Sequence, residues 1–350
     1  MLTLLPVIAL LTFIQAITPF VTRKSECFGV SIPQAESGAS PIRLLRRRYA
    51  AWVTLAGAAA GGAMLLLHEQ AIVWFTPLIF GLLGVDFAIY YGFHRRMKAL
   101  KAAAGWEERK TGAIVVDTTP DRGDYPSPLW LWTYPAMIAL TTAFIASRYA
   151  SLPDRIPMHF DLYGNVDRYA DKTLLTAYFP VLAQLFMAII FAFCFFIIIY
   201  ARRQLDPENP EQSRRQLAVF RRSWGRFILV CGALCLALFA AIAPLTLGLI
   251  SGSSFLWGTL GFTAVICGWA VYLTVRVGQG GSRVAGVSSS KLISARDDDR
   301  YWKLGVFYYN PDDPSLFVEK RFGIGWTSHF ARPMTYVILG GLILLTALFI

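Results

Sequence analysis

Charge is scarce in this chain. Asp, Glu, Lys and Arg make up only 16% of its 350 residues, against about 25% in an ordinary soluble domain. Histidine is scarcer: His68, His94, His159 and His329 stand nowhere at metal-ligand spacing, so no metal site is read. Of five cysteines, Cys194, Cys231, Cys235 and Cys267 lie in apolar runs and Cys27 in a basic loop. Cys231 and Cys235 share a helix face at i, i+4, which does not admit a normal disulfide, and are read as small packing residues. No HExxH, GxSxG, Walker A or strand-GxGxxG pattern is present. These absences argue against an enzyme and against a bound cofactor. Ser288, Ser289 and Ser290 before Lys291 suggest a Ser–Lys dyad, but the Gly/Ser-rich stretch 278–290 reads as a flexible linker.

What the chain has in abundance is apolar sequence, 55% of all residues. It is gathered into runs at about 2–21, 50–67, 71–93, 129–147, 174–200, 227–249, 255–275 and 334–350, most of the length needed to cross a bilayer core of about 30 Å. The expected fold is therefore an all-α polytopic membrane protein of about eight transmembrane helices. The Ala- and Gly-rich 50–67 and the terminal 334–350 are the shortest spans. The first run has no basic n-region and no small-residue cleavage site, so it reads as a retained helix and not a secretory signal.

Lysine and arginine fix the orientation. The connections 22–49, 94–128, 201–226 and 276–333 hold 29 of the 33, and the alternate connections hold four, all in 148–173. Basic loops stay cytoplasmic, which gives an N-out, C-out topology. The net charge of +11 is then a topology signal directed at an anionic inner leaflet. No nucleic-acid-binding signature accompanies it. The lipid bilayer is the expected partner, and nucleic acid is not.

The outer connection, read over Leu152 to Lys172, carries Asp154, Asp161, Asp167 and Asp171, which balance the four basic residues of 148–173. Pro153 and Pro157 forbid a regular helix, and Gly164–Asn165 forms a turn signal between two short runs. A compact folded loop follows. The residues Leu152, Pro153, Ile156, Pro157, His159, Phe160, Gly164, Asp167 and Lys172 resemble the membrane domain family of unknown function numbered 1648. That family is shared with the SdpI-like immunity proteins, which protect bacteria from a secreted membrane-active toxin. The resemblance covers about spans four to six. It makes His159, Asp161, Gly164, Asp167 and Lys172 the candidate sensing or ligand-binding set. His159 has two readings, proton or ligand sensing and a structural bond to a backbone carbonyl, and the second is favoured.

On the cytoplasmic side, Leu304–Tyr309 and Ser315–Arg321 flank an Asn/Pro/Asp cluster and read as one antiparallel hairpin over 304–320, turned at Pro311–Pro314. The run 113–118 has strand composition and is its expected support. Tyr301–Lys303, Tyr309–Pro311 and Gly323–Thr327 resemble a second family of unknown function, numbered 5808, departing at His329, where that family often has Asn. Tyr301, Trp302, Tyr309 and Trp326 form a candidate surface for a cytoplasmic regulator, with docking at the membrane interface as the alternative. Within the spans, Asp86 is the one deeply placed ionisable residue, a functional candidate because a lone carboxylate is costly in hydrocarbon. Gly57 to Gly61 reads as a close-packing face.

The expected organisation is a three-helix region over 1–128, an SdpI-like domain over 129–249 with outer loop 148–173, a span and linker over 250–296, the hairpin domain over 297–333 and a last span over 334–350. The expected role is sensing, or immunity to, an extracellular membrane-active peptide or envelope stress at a bacterial plasma membrane. The alternative is a small-solute or lipid transporter using Asp86. Single cysteines placed at Asn165 and Ser251, with native cysteines removed, should react with an impermeant thiol reagent on intact cells. Those at Asn209 and Ser289 should be protected, and the reverse pattern inverts the topology.

Overall fold

Ten α-helices and ten short strands form among the described residues of the computed structural model, which are 5–67, 70–106, 115–117, 122–160, 166–201, 203–205, 210–284 and 298–347. The chain divides into two compact units: Met1–Thr119 with Ala201–Leu217 and Thr274–Leu344, and Pro120–Tyr200 with Ala218–Leu273 and Leu345–Ile350.

In the first unit, α1 (Leu5–Val21) packs on α2 (Ser40–Leu66), which packs on α3 (Ala71–Ala103). Helix α2 begins ten residues before the expected span. At 1.5 Å per residue its 27 residues reach roughly 40 Å, and the 33 of α3 roughly 50 Å. Both outrun a bilayer core, and the excess carries the charge: Arg43 and Arg46 to Arg48 in the opening turns of α2, and Arg95, Arg96, Lys98 and Lys101 in the closing turns of α3. The basic residues are thus continuous with the spanning helices.

Between α1 and α2 the first basic connection folds into a hairpin, β1 (Glu26–Cys27) with β2 (Val30–Ser31). Both turn residues lie at positive φ, Phe28 at 49° and Gly29 at 72°, the backbone that a two-residue hairpin favours. Phe28 holds it because its fully buried ring packs on Tyr49, Phe93 and Phe322. A side chain at Gly29 would strike the backbone oxygen of Gly305 at 2.3 Å.

The strand expected near 113–118 is present as β3 (Val115–Asp117), but its antiparallel partner is β6 (Arg203–Leu205). The single hairpin expected over 304–320 does not form. Instead β7 (Trp302–Lys303) pairs with β8 (Phe307–Tyr308), and β9 (Phe317–Glu319) pairs with β10 (Trp326–Ser328). A bridge between Tyr308 and His329 joins the two. The reason lies in the intervening loop, which satisfies itself. The Asp312 N–H donates to Asn310 Oδ1 at 3.1 Å and the Ser315 N–H to Asp313 Oδ1 at 3.0 Å, while the Tyr308 hydroxyl donates to Asp313 Oδ2 at 2.9 Å. The reversals sit elsewhere, at Leu304–Gly305 (φ 53° and 75°) and around Gly323 and Gly325 (φ 92° and 110°). Helix α10 (Pro333–Ala347) follows.

In the second unit, α4 (Thr133–Arg148) leads into an antiparallel hairpin, β4 (Arg155–Phe160) with β5 (Val166–Asp171). Then come α5 (Leu174–Ala177), α6 (Phe179–Tyr200), α7 (Pro210–Ala240), α8 (Ile242–Thr246) and α9 (Gly252–Arg276), of which α7 begins and α9 ends in the first unit. Fully buried Gln184 donates to Thr141 Oγ1 at 3.0 Å and to the Leu236 carbonyl at 2.8 Å, tying α4, α6 and α7 together. The Tyr134 hydroxyl donates to the Leu229 carbonyl at 3.0 Å. Gly232 makes room for it, since a Cβ there would lie 2.0 Å from that oxygen. Arg221, 1% exposed, donates to the Ile199 carbonyl at 3.0 Å, where the last carbonyls of α6 need donors.

Among the described residues each of the eight expected apolar segments is mainly helical. Six helices among the described residues are long and apolar enough to cross a membrane, and Leu5–Val21 and Pro333–Leu344 are shorter apolar helices. The chain is an all-α polytopic membrane protein with small β-hairpins. The Gly57–Gly61 face separates into unequal halves: a Cβ on Gly57 would sit 2.0 Å from Thr12 Oγ1, whereas Gly61 has nothing nearer than Leu5 at 4.0 Å. Gly57→Ala should therefore destabilise the purified protein by roughly 1–3 kcal/mol through overpacking, read as a lowered melting temperature. Gly61→Ala should leave it unchanged, and equal effects would refute the close contact.

Candidate functional site

The outer hairpin is seated on an apolar floor. Leu152 and Ile156 are buried with Ile145 of α4, Ala177 of α5 and Ala243 of α8, because the Leu-Pro-x-x-Ile-Pro spacing turns both aliphatic side chains inward as the strand begins. Lys172 closes the base: its ammonium donates to the Leu152 carbonyl at 2.9 Å and lies 5.0 Å from the Tyr149 ring centre, and its backbone N–H donates to the Asp154 carbonyl at 2.8 Å. Thr173 then caps α5 reciprocally with Thr176. Beneath the hairpin remains a cavity of about 100 Å³, walled by Leu152, Ile156, Met158, Ala177, Ala243 and Phe255 among others.

Of the candidate sensing residues, His159 and Asp167 lie on β4 and β5, with His159 opposite Arg168 across the ladder. Asp161, Gly164 and the Gly164–Asn165 turn fall outside the described residues. Lys172 is a bracing residue whose bonds are internal to the loop.

At the basic end of the first unit a polar knot joins three segments distant in sequence. Asp299 Oδ1 accepts from the Ser31 N–H and hydroxyl, each at 3.1 Å, and from Arg321. Its Oδ2 accepts from Lys101 at 2.7 Å, and Lys101 also donates to Ser31 Oγ at 2.7 Å. Arg321 reaches the Gly29 carbonyl at 3.2 Å and stacks over Trp302, 5.0 Å from its ring centre. Burial alone would raise the Asp299 pKa, but the charges of Arg321 and Lys101 and the Ser31 N–H hold it below the usual carboxylate range. A second ion pair joins Arg23 to Glu319.

Around the knot, Tyr90 of α3 donates to the Leu304 carbonyl at 3.1 Å, and His94 Nδ1 meets the Phe28 carbonyl at 2.8 Å. Phe322 lies 4.7 Å from the Tyr90 ring. Gln279 makes a two-way bond with Gly325, accepting its N–H at 2.7 Å and donating to its carbonyl at 2.9 Å. Residues 278–284 are thereby docked structure and not linker. Ser288 to Lys291 fall outside the described residues.

The four aromatic candidates for a partner surface separate. Tyr309 is 46% exposed, and Tyr301 and Trp326 are half-buried. Trp302 is no surface residue, being buried beneath Arg321 and 5.1 Å from Tyr308. Fully buried His329 accepts the Asn310 N–H on Nε2 at 3.0 Å. Its Nδ1 must then carry the proton, donated to the Ser315 carbonyl at 2.6 Å. That side chain is a brace between the two hairpins. Cys27 is buried, which pushes its thiol up to about 11 against the opposing charge of Arg46, in keeping with an inert packing residue.

Asp86 lies in a polar layer of the three-helix bundle. Ile8, Ala60 and Leu82 form one buried layer, and Val53 and Tyr90 belong to a second cluster. One turn from the first layer along each helix stand Thr12, Gly57 and Asp86. Asp86 is 2% exposed. Both its carboxylate oxygens and Thr12 Oγ1 are buried without a hydrogen-bond partner among the described residues. Sequence reading singled out Asp86 but missed Thr12, Asp299, Arg321 and Lys101. Only the contact between Thr12 and Gly57, and the pairing of charges 198 residues apart, gives those four away.

Residues 136–183 match the domain of unknown function DUF1648, and residues 311–327 match the family of unknown function DUF5808. The search of curated proteins and that of solved structures gave no match. The first match spans α4 from its second turn, the outer hairpin, α5 and the start of α6. The second supplies Glu319, Arg321, Phe322 and Gly325 to the basic-end assembly.

Because its folded pKa lies below the unfolded value, Asp299 contributes stability that is present above the ordinary carboxylate pKa and lost as pH falls through the folded value. Melting of the purified protein should therefore fall steeply below about pH 4. Asp299→Asn should cost roughly 3–5 kcal/mol at pH 7 by leaving Arg321 buried and uncompensated, and should flatten that acid limb. A variant with an unchanged acid limb would remove Asp299 as its source.

Proposed function

We propose that this membrane protein meets an extracellular membrane-active peptide, or the envelope stress such a peptide causes, through the β4–β5 hairpin, and protects the cell or reports the encounter to a cytoplasmic regulator. The observation that carries the reading is the braced hairpin roofing an apolar cavity of about 100 Å³. That is space of side-chain size, so an inserted apolar group would gain buried area without unfolding the loop. The cavity wall includes residues from α4, α5 and α8 as well as the hairpin, so an occupant would favour one arrangement of these elements over another, which is what a ligand must do to shift a bundle. The resemblance to SdpI-like immunity proteins supports the same reading and suggests a bacterial plasma membrane. The concentration of Lys and Arg on the connections other than that of the hairpin supports an outward-facing hairpin. No catalysis is assigned.

A second reading is kept for one observation, the buried Asp86 carboxylate without a bond partner among the described residues. An uncompensated acid at that depth suits a proton- or cation-coupled small-solute or lipid transporter.

Cells expressing the protein should survive secreted membrane-active peptides better than a deletion strain. Filling the cavity by Ala177→Leu, or replacing His159 with Ala or Asp167 with Asn, should return survival toward the deletion level at equal protein in the membrane. If deletion leaves peptide sensitivity and envelope-stress transcripts unchanged, while solute uptake is lost in Asp86→Asn, transport replaces sensing.

A further inference from the structure

A cavity of about 810 Å³ opens where α1 ends and α2 begins, within the size of small-molecule sites. Among the described residues five cations line it, Lys24, Arg43, Arg46, Arg47 and Arg283, and neither Asp nor Glu is part of its wall. Elsewhere in the same unit buried cations have carboxylates: Arg23 has Glu319, and Arg321 and Lys101 have Asp299. The bonds the cavity arginines make go to neutral acceptors. Arg46 donates to the Ser37 carbonyl at 3.1 Å, Arg43 to Ser40 Oγ at 3.3 Å, and Arg283 to the Val275 and Phe20 carbonyls at 3.2 and 2.5 Å. These bonds aim the side chains and, among the described residues, bring no carboxylate to their charge.

Two features add to the field. Helix α2 starts at this cavity with Ala39 as its cap residue and no capping side chain, and Gly38 just before it lies on the wall. The positive end of a 27-residue helix therefore contributes alongside the cations. Burial of Arg283 lowers its pKa, the direction produced when a cation is partly desolvated. A cavity of this kind calls for an anion, and the planar forks of several arginines suit phosphate oxygens best.

The surroundings choose the source of that phosphate. Phe20, at the end of the apolar helix α1, is 42% exposed and lies on the wall with Val284. An acyl chain lying along α1 would bring its headgroup to the level of the arginines. We propose that this cavity holds the phosphate headgroup of an anionic membrane lipid from the leaflet facing the basic loops. The site is independent of the outer hairpin and of the role proposed for it.

The test uses the full-length protein in mild detergent, equilibrated with equimolar phosphatidylglycerol and phosphatidylcholine and analysed by native mass spectrometry. Phosphatidylglycerol should be retained in preference. Arg43→Gln with Arg47→Gln should lower that retention about thirtyfold, the loss expected when two cations are withdrawn from an anionic lipid. Arg43→Lys with Arg47→Lys should keep most of it. Equal melting temperatures of the three proteins in phosphatidylcholine alone establish that the variants are folded. Equal retention of the two lipids by the unaltered protein, or undiminished phosphatidylglycerol on the glutamine variant, overturns the proposal. A separate titration with inorganic phosphate distinguishes the sources: if it raises the melting temperature while phosphatidylglycerol is not retained, the occupant is a soluble phosphate and the lipid assignment fails.

Discussion

The Asp299 carboxylate is the constraint on which the first unit depends. It collects Ser31 from the hairpin after α1, Lys101 from the end of α3 and Arg321 from the segment before α10. Arg321 is 1% exposed, and without the Asp299 carboxylate its guanidinium would be left as a buried, uncompensated charge. A buried ion pair adds little net stability when weighed against the cost of desolvating both charges. What it adds here is uniqueness: a register slip in either loop would strand a buried charge. The basic connections, which by composition are only topology signals, are thereby held as folded structure at the end of the spanning helices.

A close approach of two turns follows from that closure. Gly29 and Gly305 meet with no room for a Cβ on either side; one on Gly29 would fall 2.3 Å from Gly305 O, and one on Gly305 would fall 2.6 Å from the Tyr90 hydroxyl. Both turns must run at positive φ for this, and one of them carries Phe28 in a conformation that costs a non-glycine residue energy. The aromatic cluster of Phe28, Tyr49, Phe93 and Phe322 offsets that strain by burial. The strained turn is thus kept by the tertiary packing around it.

Hydropathy and charge alternation made the spanning helices legible, because lipid leaves the backbone no option but helix. The outer hairpin was legible through Pro153, Pro157 and the flanking aliphatic residues. The cytoplasmic pairing was misread at one place. Pro311 to Pro314 has turn composition, and Asp313 does bend the chain there, but local side-chain bonds satisfy that loop and leave nothing to drive pairing across it. The reversals that matter fall at Leu304–Gly305 and Gly323–Gly325, where a single glycine in an aromatic run is a faint signal. Trp302 was taken for a surface aromatic because composition cannot distinguish a tryptophan facing lipid from one beneath a guanidinium. The family-matched residues 311–327 are accordingly a docking strip for the chain's own hairpin and helix ends.

Asp86 stands one turn from Tyr90 on α3, and Tyr90 bonds the Leu304 carbonyl in the basic-end assembly. On one helix face the order is therefore a buried acid, a phenol and the imidazole of His94, at intervals of four residues. The acid shares its layer with Thr12, whose hydroxyl likewise has no hydrogen-bond partner among the described residues, and Gly57 is small enough to let α1 approach. Among the described residues this layer keeps three buried oxygen atoms without hydrogen-bond partners, which is costly in hydrocarbon. At this layer α1 meets α2 through Thr12 and Gly57, and α3 runs on from Asp86 to the Asp299 knot, which it joins through Lys101. The intramembrane layer and the basic-end assembly thus share α3, with Asp86 near its middle and Lys101 in its last turn.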